Sequence, residues 1–281
     1  MSGTERMKIV AQIMDWGGPE AELEALGGMD VDFSIVPFGN SEDAVIAAAR
    51  GAHGLLLGSG PASRRVIEAL VPTLKVISRY GVGYDAVDLQ AATDHGVVVA
   101  NVRTGGVFNQ EMSNHAILLL LACAKKLPTM NRIGHTASWG DRTPHTRPMV
   151  SIYDQVLGLI GLGDIGAMTA RKAQAFDLKV LAYDPFATQE KAAACGAELT
   201  HLDRVLRESD FISVHCPLTP DTKGLVGKRE FGVMKPSVYL INTARGPIID
   251  EQAMIAALQE GRIAGAGLDV LEQEPPAPDN P

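Results

Sequence analysis

Three glycines, Gly161, Gly163 and Gly166, follow directly on the apolar run Val156–Ile160 and open a segment of helical spacing. In that segment Ile165, Met168, Ala173 and Phe176 recur on one face. This order confines the region to a strand, a tight turn and a helix. The first glycine permits the turn, the second lets a ligand approach the backbone, and the third lets helix and strand pack closely. Unpaired amides at the helix start, with the dipole behind them, favour phosphate oxygens. Asp184 closes the next apolar run, eighteen positions past Gly166. That is near the spacing of roughly 20 at which an acid binds the ribose 2′-hydroxyl of a dinucleotide. A carboxylate there accepts from a diol and repels a 2′-phosphate, and Pro185 and Phe186 follow it with no arginine. NAD rather than NADP is therefore the expected cofactor.

Short β-branched runs alternate with helical patterns along the whole chain, which predicts βαβ units and parallel sheets. Strands are expected at Lys8–Ile13, Phe33–Phe38, Gly54–Gly58, Lys75–Arg79 and Val97–Val102, with helices between them. A second series runs through Val156–Ile160, Val180–Tyr183, Phe211–His215, Val238–Asn242 and Ile263–Val270. Between the series a helix is expected over Asn109–Lys126, apolar on nearly every face and so buried on all sides between domains or subunits. Pro128–Pro148 reads as a surface excursion. The fold class is α/β, with two doubly wound parallel-sheet (Rossmann-like) domains and a cleft between them. Residues 1–103 form a flavodoxin-like substrate domain and 104–281 a dinucleotide-binding domain.

Composition supports this. The 281 residues suit two domains, and 46% hydrophobic against 5% aromatic residues fits helices packed closely on buried sheets. A net charge of −8 argues against nucleic acid or an anionic membrane as partner. It leaves room for an anionic substrate, because one buried arginine can dominate a local field. Cys123, Cys195 and Cys216 are scattered without metal-like spacing, which fits a reduced cytoplasmic setting and no metal. The start lacks a signal-peptide core, and the apolar run Ala116–Ala124 is too short to span a bilayer.

Five blocks carry a family resemblance: Ser78-Arg-Tyr-Gly-Val-Gly-Tyr-Asp85, Leu157-Gly-Leu-Ile-Gly-Leu-Gly-Asp-Ile-Gly166, His215-Cys-Pro-Leu-Thr-Pro-Asp-Thr222, Asn242-Thr-Ala-Arg-Gly246 and Gly267-Leu-Asp-Val-Leu-Glu-Gln-Glu-Pro275. In this order and spacing the chain resembles the D-isomer-specific 2-hydroxyacid dehydrogenases, the family of D-3-phosphoglycerate dehydrogenase and glyoxylate/hydroxypyruvate reductase. The resemblance implies hydride transfer between NAD(H) and C2 of a small 2-oxo or D-2-hydroxy carboxylate, by a homodimer. It implies that Arg245 holds the substrate carboxylate and C2 oxygen, and that Glu274 pairs with a catalytic histidine. Val82 and Gly83 match a turn whose amides help seat the carboxylate. Asp164 and Ile165 match amides near the pyrophosphate. Cys216, Pro217 and Thr222 line the adenosine side, while Thr243, Ala244 and Asp269 approach the nicotinamide.

The chemistry of these residue types agrees. A guanidinium offers paired donors to a carboxylate, stays charged, and polarises a ketone oxygen on which negative charge develops. Simpler roles stand beside these: a salt bridge for Arg245, a solvated loop acid for Glu274, a turn cap for Asp269, a structural histidine for His215. The chain departs from the family pattern in one respect. The block Pro-His-Xaa-Gly that carries the proton-donating histidine is absent, and this predicts a C-terminally incomplete cofactor domain, in a fragment or in a naturally short family member, with weak NAD binding and slow turnover. Side chains near Arg79, Tyr80, Arg103 and Thr104 are expected to set substrate choice. Two other readings share the motifs: an NADH-sensing interaction protein resembling the C-terminal binding proteins, and a dehydrogenase of formate or phosphite type.

Overall fold

Residues 6–12, 18–36, 41–58, 60–102, 106–135 and 149–281 are described by a computed structural model of the chain. They fall into two units, Met1–Thr104 and Gly105–Pro281. The expected domain boundary near residue 103 lies outside the described residues.

In the first unit the β-branched and leucine runs form β1 (Met7–Ala11), β2 (Val31–Ile35), β3 (Gly54–Leu57), β4 (Val76–Arg79) and β5 (Val98–Asn101). They alternate with α1 (Glu20–Ala25), α2 (Glu42–Ala49), α3 (Arg64–Leu70) and α4 (Leu89–Asp94). All strand pairs are parallel, in the order β2-β1-β3-β4-β5. Each of the last three helices starts at a side-chain cap: Ser41, Ser63 and Asp88 accept from the amides of Ala44, Val66 and Ala91. A cap of this kind contributes about 1 kcal/mol. Leu55, Leu57 and Ile77 of the sheet pack with Val45, Val66, Ile67 and Leu70 of the helices to make the core. The first two strands stop sooner than the sequence predicts; Ile13, Pro37 and Phe38 lie outside the described residues.

The second unit holds β6 (Val156–Ile160), β7 (Lys179–Tyr183), β8 (Glu198–Leu199), β9 (Phe211–Val214), β10 (Tyr239–Asn242) and β11 (Gly265–Leu268). Their order is β11-β10-β9-β6-β7-β8, and every pair is parallel. The helices are α5 (Val107–Ala124), α6 (Leu127–His135), α7 (Asp164–Gln174), α8 (Gln189–Ala194), α9 (Leu202–Glu208), α10 (Lys228–Phe231) and α11 (Glu251–Gln259). From β6 the chain builds outward through β7 to β8, then returns to β9 and builds the other way. The switch between β6 and β9 opens a crevice at the carboxyl ends of the strands, where ligands of such sheets bind.

Three expectations need correction here. The helix α5 buries Ser113, Ala116, Ile117, Leu120 and Ala124 against α7, β10 and β11, while Leu118 stays 53% exposed. Within this unit it is therefore buried along one face, not all round. Residues 128–135, expected in an irregular excursion, belong to α6, because Pro128 stands in the first turn, where no amide hydrogen bond is lost. The rest of that stretch, 136–148, lies outside the described residues. In α7 the buried face is made of Gly166, Ala167, Thr169, Ala170 and Ala173, while Ile165 and Met168 are half-buried and Phe176, beyond the helix, is exposed. Small side chains let this helix lie close to both the sheet and α5.

Candidate functional site

The turn between β6 and α7 cannot tolerate side chains at two of its three glycines. A Cβ on Gly161, whose φ is +100°, would lie 2.6 Å from the Cys216 nitrogen, and one on Gly166 would lie 2.4 Å from the Gly161 carbonyl oxygen. At Gly163 the space is open, with nothing within 4 Å. The turn is thus closed on its protein side and clear on its outer side, next to the first amides of α7. Asp164 is exposed and Ile165 half-buried at this helix start. That arrangement fits a pyrophosphate.

Asp184, at the end of β7, is tied to the same turn. Its Oδ2 accepts from the Leu162 amide at 2.7 Å and its Oδ1 from the Phe186 amide at 2.8 Å. Each carboxylate oxygen keeps a second acceptor direction for a ribose hydroxyl. Two amides fix the carboxylate next to the glycine turn, and Phe186 beyond it is 95% exposed.

Across the switch, His215 and Cys216 follow β9. The imidazole Nε2 of His215 lies 2.9 Å from Ser213 Oγ. Although part of the residue reaches the surface, burial of the ring pulls its pKa down to about 4, so it is neutral near pH 7. This is a structural histidine beneath the turn; its Cβ lies 3.6 Å from where a Gly166 Cβ would stand. Burial likewise pushes the Cys216 thiol up to about 11, which leaves it an apolar neighbour and no nucleophile. Thr222 closes the loop after Pro217: its hydroxyl donates to the Pro217 carbonyl at 2.6 Å and accepts from the Thr219 amide at 2.8 Å.

The ends of β10 and β11 carry the remaining expected residues. Asn242, buried, accepts from the Ala244 amide at 3.0 Å and donates to the Arg245 carbonyl at 3.0 Å. Its side chain folds Thr243, Ala244 and Arg245 into a tight turn. Arg245 is half-buried, and its Nη1 donates to the Ala244 carbonyl at 2.7 Å. The chain after β11 crosses directly over Gly246, where a Cβ would stand 1.8 Å from the Leu271 carbonyl oxygen. Only glycine fits there. The Asp269 amide donates to the Asn242 carbonyl at 3.0 Å, which keeps the two strand ends together.

Glu274 is exposed, and its Oε1 accepts from the Leu271 amide at 2.9 Å. Glu251, buried at the start of α11, accepts from the Glu272 amide at 2.8 Å and from Asn280 Nδ2 at 2.6 Å. It therefore anchors the segment that bears Glu274. Neither Asn242 nor Glu251 was singled out by sequence, because burial of an acid at a helix start is not visible there. Asp269 Oδ1 lies 3.2 Å from His115 Nε2 on α5.

Val82 and Gly83 lie in the other unit, in the turn after β4, where Val82 is 37% exposed. Arg79, among the residues expected to set substrate choice, donates to the carbonyls of Gly83 in the turn after β4 and Gly58 just past β3. The Tyr80 hydroxyl donates to Glu22 at 2.8 Å. Arg103 and Thr104 lie outside the described residues. Among the described residues there is no cluster of histidine, cysteine and acidic groups able to hold a metal ion, and no helix long and apolar enough to cross a membrane.

Residues 117–281 match the family model of the D-isomer specific 2-hydroxyacid dehydrogenase, NAD binding domain. The chain belongs to the D-isomer specific 2-hydroxyacid dehydrogenase family. Within that family it is 43% identical over 216 residues to a D-3-phosphoglycerate dehydrogenase of Archaeoglobus fulgidus, covering 77% of this chain and 40% of that protein. It is 39% identical over 223 residues to a glyoxylate reductase of Korarchaeum cryptofilum, covering 79% of this chain and 66% of that protein. The chain thus spans less than two thirds of the length of these relatives. The crystal structure of a glyoxylate reductase from Paecilomyes thermophila superposes with a TM-score of 0.85 at 28% identity, over 98% of this chain and 84% of that one. As a member of this family, the chain has a nucleotide cofactor of the NAD(H) type, and the cradle at Gly161–Gly166 and Asp184 has the shape for it.

Proposed function

We propose that this family member catalyses hydride exchange between NAD(H) and C2 of a small 2-oxo or D-2-hydroxy carboxylate. The observation that carries this reading is that the glycine turn, Asp184, Cys216, Arg245 and Asp269 all follow the carboxyl ends of neighbouring parallel strands of one sheet. A dinucleotide cradle and a held guanidinium on one sheet edge is what reduction of a carboxylate-bearing ketone requires.

When bound, the dinucleotide supplies the hydride. The amides of Asp164 and Ile165 hold its pyrophosphate, Asp184 takes the ribose hydroxyls, and Cys216, Pro217 and Thr222 border the adenosine. Thr243, Ala244 and Asp269 approach the nicotinamide. Arg245 binds the substrate carboxylate and stabilises the oxyanion that develops at C2, a contribution of about 3 kcal/mol for one well-placed donor. Its proton is held too tightly for it to act as the acid. Glu274, anchored through Glu251 and Leu271, would raise the basicity of the proton-donating histidine of the family's Pro-His-Xaa-Gly block; this sequence lacks that block, so the C2 oxyanion takes its proton from water and turnover is slow. Val82 and Gly83, in the first unit, match the family turn whose amides help seat the substrate carboxylate. Val107 and Leu118, 70% and 53% exposed on α5, are assigned to contact with a second copy of the chain.

The test is a panel of 2-oxo acids with NADH, followed by loss of absorbance at 340 nm. Turnover is expected with at least one 2-oxo acid and with none of the matching neutral ketones, and Arg245→Lys is expected to lower kcat/KM by about 100-fold or more. Equal rates with acid and neutral ketone would refute the assignment.

A further inference from the structure

Three consecutive carbonyls in the turn after β4 are all occupied by donors of the same unit. The Gly81 oxygen accepts from the Val102 amide at 3.1 Å, the Val82 oxygen from Asn101 Nδ2 at 2.8 Å, and the Gly83 oxygen from Arg79 Nε at 3.2 Å. Arg79 Nη1 also reaches the Gly58 carbonyl just past β3, so one guanidinium spans the ends of two neighbouring strands. These peptide bonds are trans, and in a trans peptide the N–H points opposite to the C=O. The amides of Val82, Gly83 and Tyr84 are thereby aimed away from Val102, Asn101 and Arg79. Among the described residues, none of the three amides meets an acceptor. Val82 and Tyr84 are 37% and 51% exposed, so the turn that bears these N–H groups lies at the surface. Successive outward amides make a concavity that binds anions.

We infer that Arg79 and Asn101 are positioning residues for substrate-carboxylate binding, acting by holding the Gly83 and Val82 carbonyls so that the following amides face the anion. This rests on the proposed function, in which this turn seats the carboxylate. Were either donor lost, its peptide could rotate and present a carbonyl oxygen, which repels a carboxylate. Arginine suits the position because its planar fork reaches two carbonyls at once; a lysine has the charge without the fork.

The test titrates oxamate, an unreactive 2-oxo acid mimic, into the full chain saturated with NADH. Wild type is compared with Arg79→Lys and Asn101→Leu by NADH fluorescence, with the backbone amides of Gly83 and Tyr84 followed by NMR. Oxamate is expected to bind roughly tenfold or more weakly to each variant, the loss of one hydrogen bond to a charged group. NADH affinity should stay within about twofold and the melting temperature near wild type. In wild type the Gly83 and Tyr84 amide signals should shift downfield with oxamate, and in the variants they should not. A purely structural role would lower the melting temperature and leave those shifts in place. Unchanged oxamate affinity in both variants would overturn the inference and leave the proposed function standing. Failure of the wild-type NADH complex to bind oxamate would overturn both.

Discussion

His115 and Asp269, 154 positions apart in sequence, meet at 3.2 Å between Nε2 and Oδ1, joining the middle of α5 to the carboxyl end of β11. An ionised carboxylate only accepts, so the pair forms with the proton on Nε2. Both side chains are partly exposed, at 36% and 42%. The pair thus steers Asp269 without adding much stability. If Asp269 approaches the nicotinamide, His115→Ala should raise the NADH dissociation constant about two- to fivefold, the range for a solvent-exposed pair. Fluorescence titration measures this. A change beyond about fiftyfold would show that His115 itself carries a contact larger than such a pair can supply.

Asp184 should control the choice between NADH and NADPH. Replacement by alanine frees the Leu162 and Phe186 amides and removes the acceptor for the ribose. The expected result for Asp184→Ala is NADH binding at least about tenfold weaker and an NADH-to-NADPH affinity ratio at least about tenfold smaller, the worth of one or two charge-assisted hydrogen bonds. Fluorescence titrations with both nucleotides report it. A retained ratio would place the ribose elsewhere.

Gly161 and Gly163 should separate folding from binding. Gly161→Ala forces a Cβ to 2.6 Å from the Cys216 nitrogen at a φ of +100°, and should cost on the order of 2–4 kcal/mol of stability. Gly163→Ala meets nothing within 4 Å, so its melting temperature should match wild type while NADH binding falls about tenfold or more. Thermal melts paired with NADH titration check both halves. A Gly163→Ala variant that binds NADH normally would remove the pyrophosphate from this turn.

His215 should make stability depend on pH. Burial lowers its pKa from the ordinary 6.5 to about 4. Between those values the unfolded chain binds the proton and the native state does not, so acid favours unfolding. The contribution is fully present above about pH 6.5 and is lost as pH falls through about 4, amounting to on the order of 3 kcal/mol. His215→Asn retains a partner for Ser213 and should lose this pH dependence. Urea unfolding of both proteins at pH 7, 5.5 and 4.5 checks it; equal slopes against pH would show that the imidazole is not held neutral.

Much of the fold was legible because its signals are local. Gly161, Gly163 and Gly166 after an apolar run, and Asp184 at the end of the next, specify a turn and a strand end from neighbours in sequence alone. The same holds for the strand ends bearing Arg245 and Asp269. What escaped depends on partners far along the chain. Glu251 meets Glu272 and Asn280, and Arg79 turns back to Gly58, neither of which periodicity can reveal. Leu118 belongs to an apolar helix whose composition hides which face the sheet covers. Glu198–Leu199 is a two-residue strand, too short to carry an alternation. Pro128–Pro148 read as an excursion because sequence alone did not show that Pro128 stands in the first turn of a helix.

Direct transfer to C2 is tested most sharply by isotope. The chain is incubated with NADH carrying deuterium at both hydrogen positions of nicotinamide C4 and with the 2-oxo acid it accepts best, and the product is analysed by NMR and chiral chromatography. The expected product is the D-2-hydroxy acid carrying deuterium on C2, and it should be absent with Arg245→Met. A 2-hydroxy acid with protium at C2, or the deuterated product formed equally well by Arg245→Met, would contradict the role given to this site.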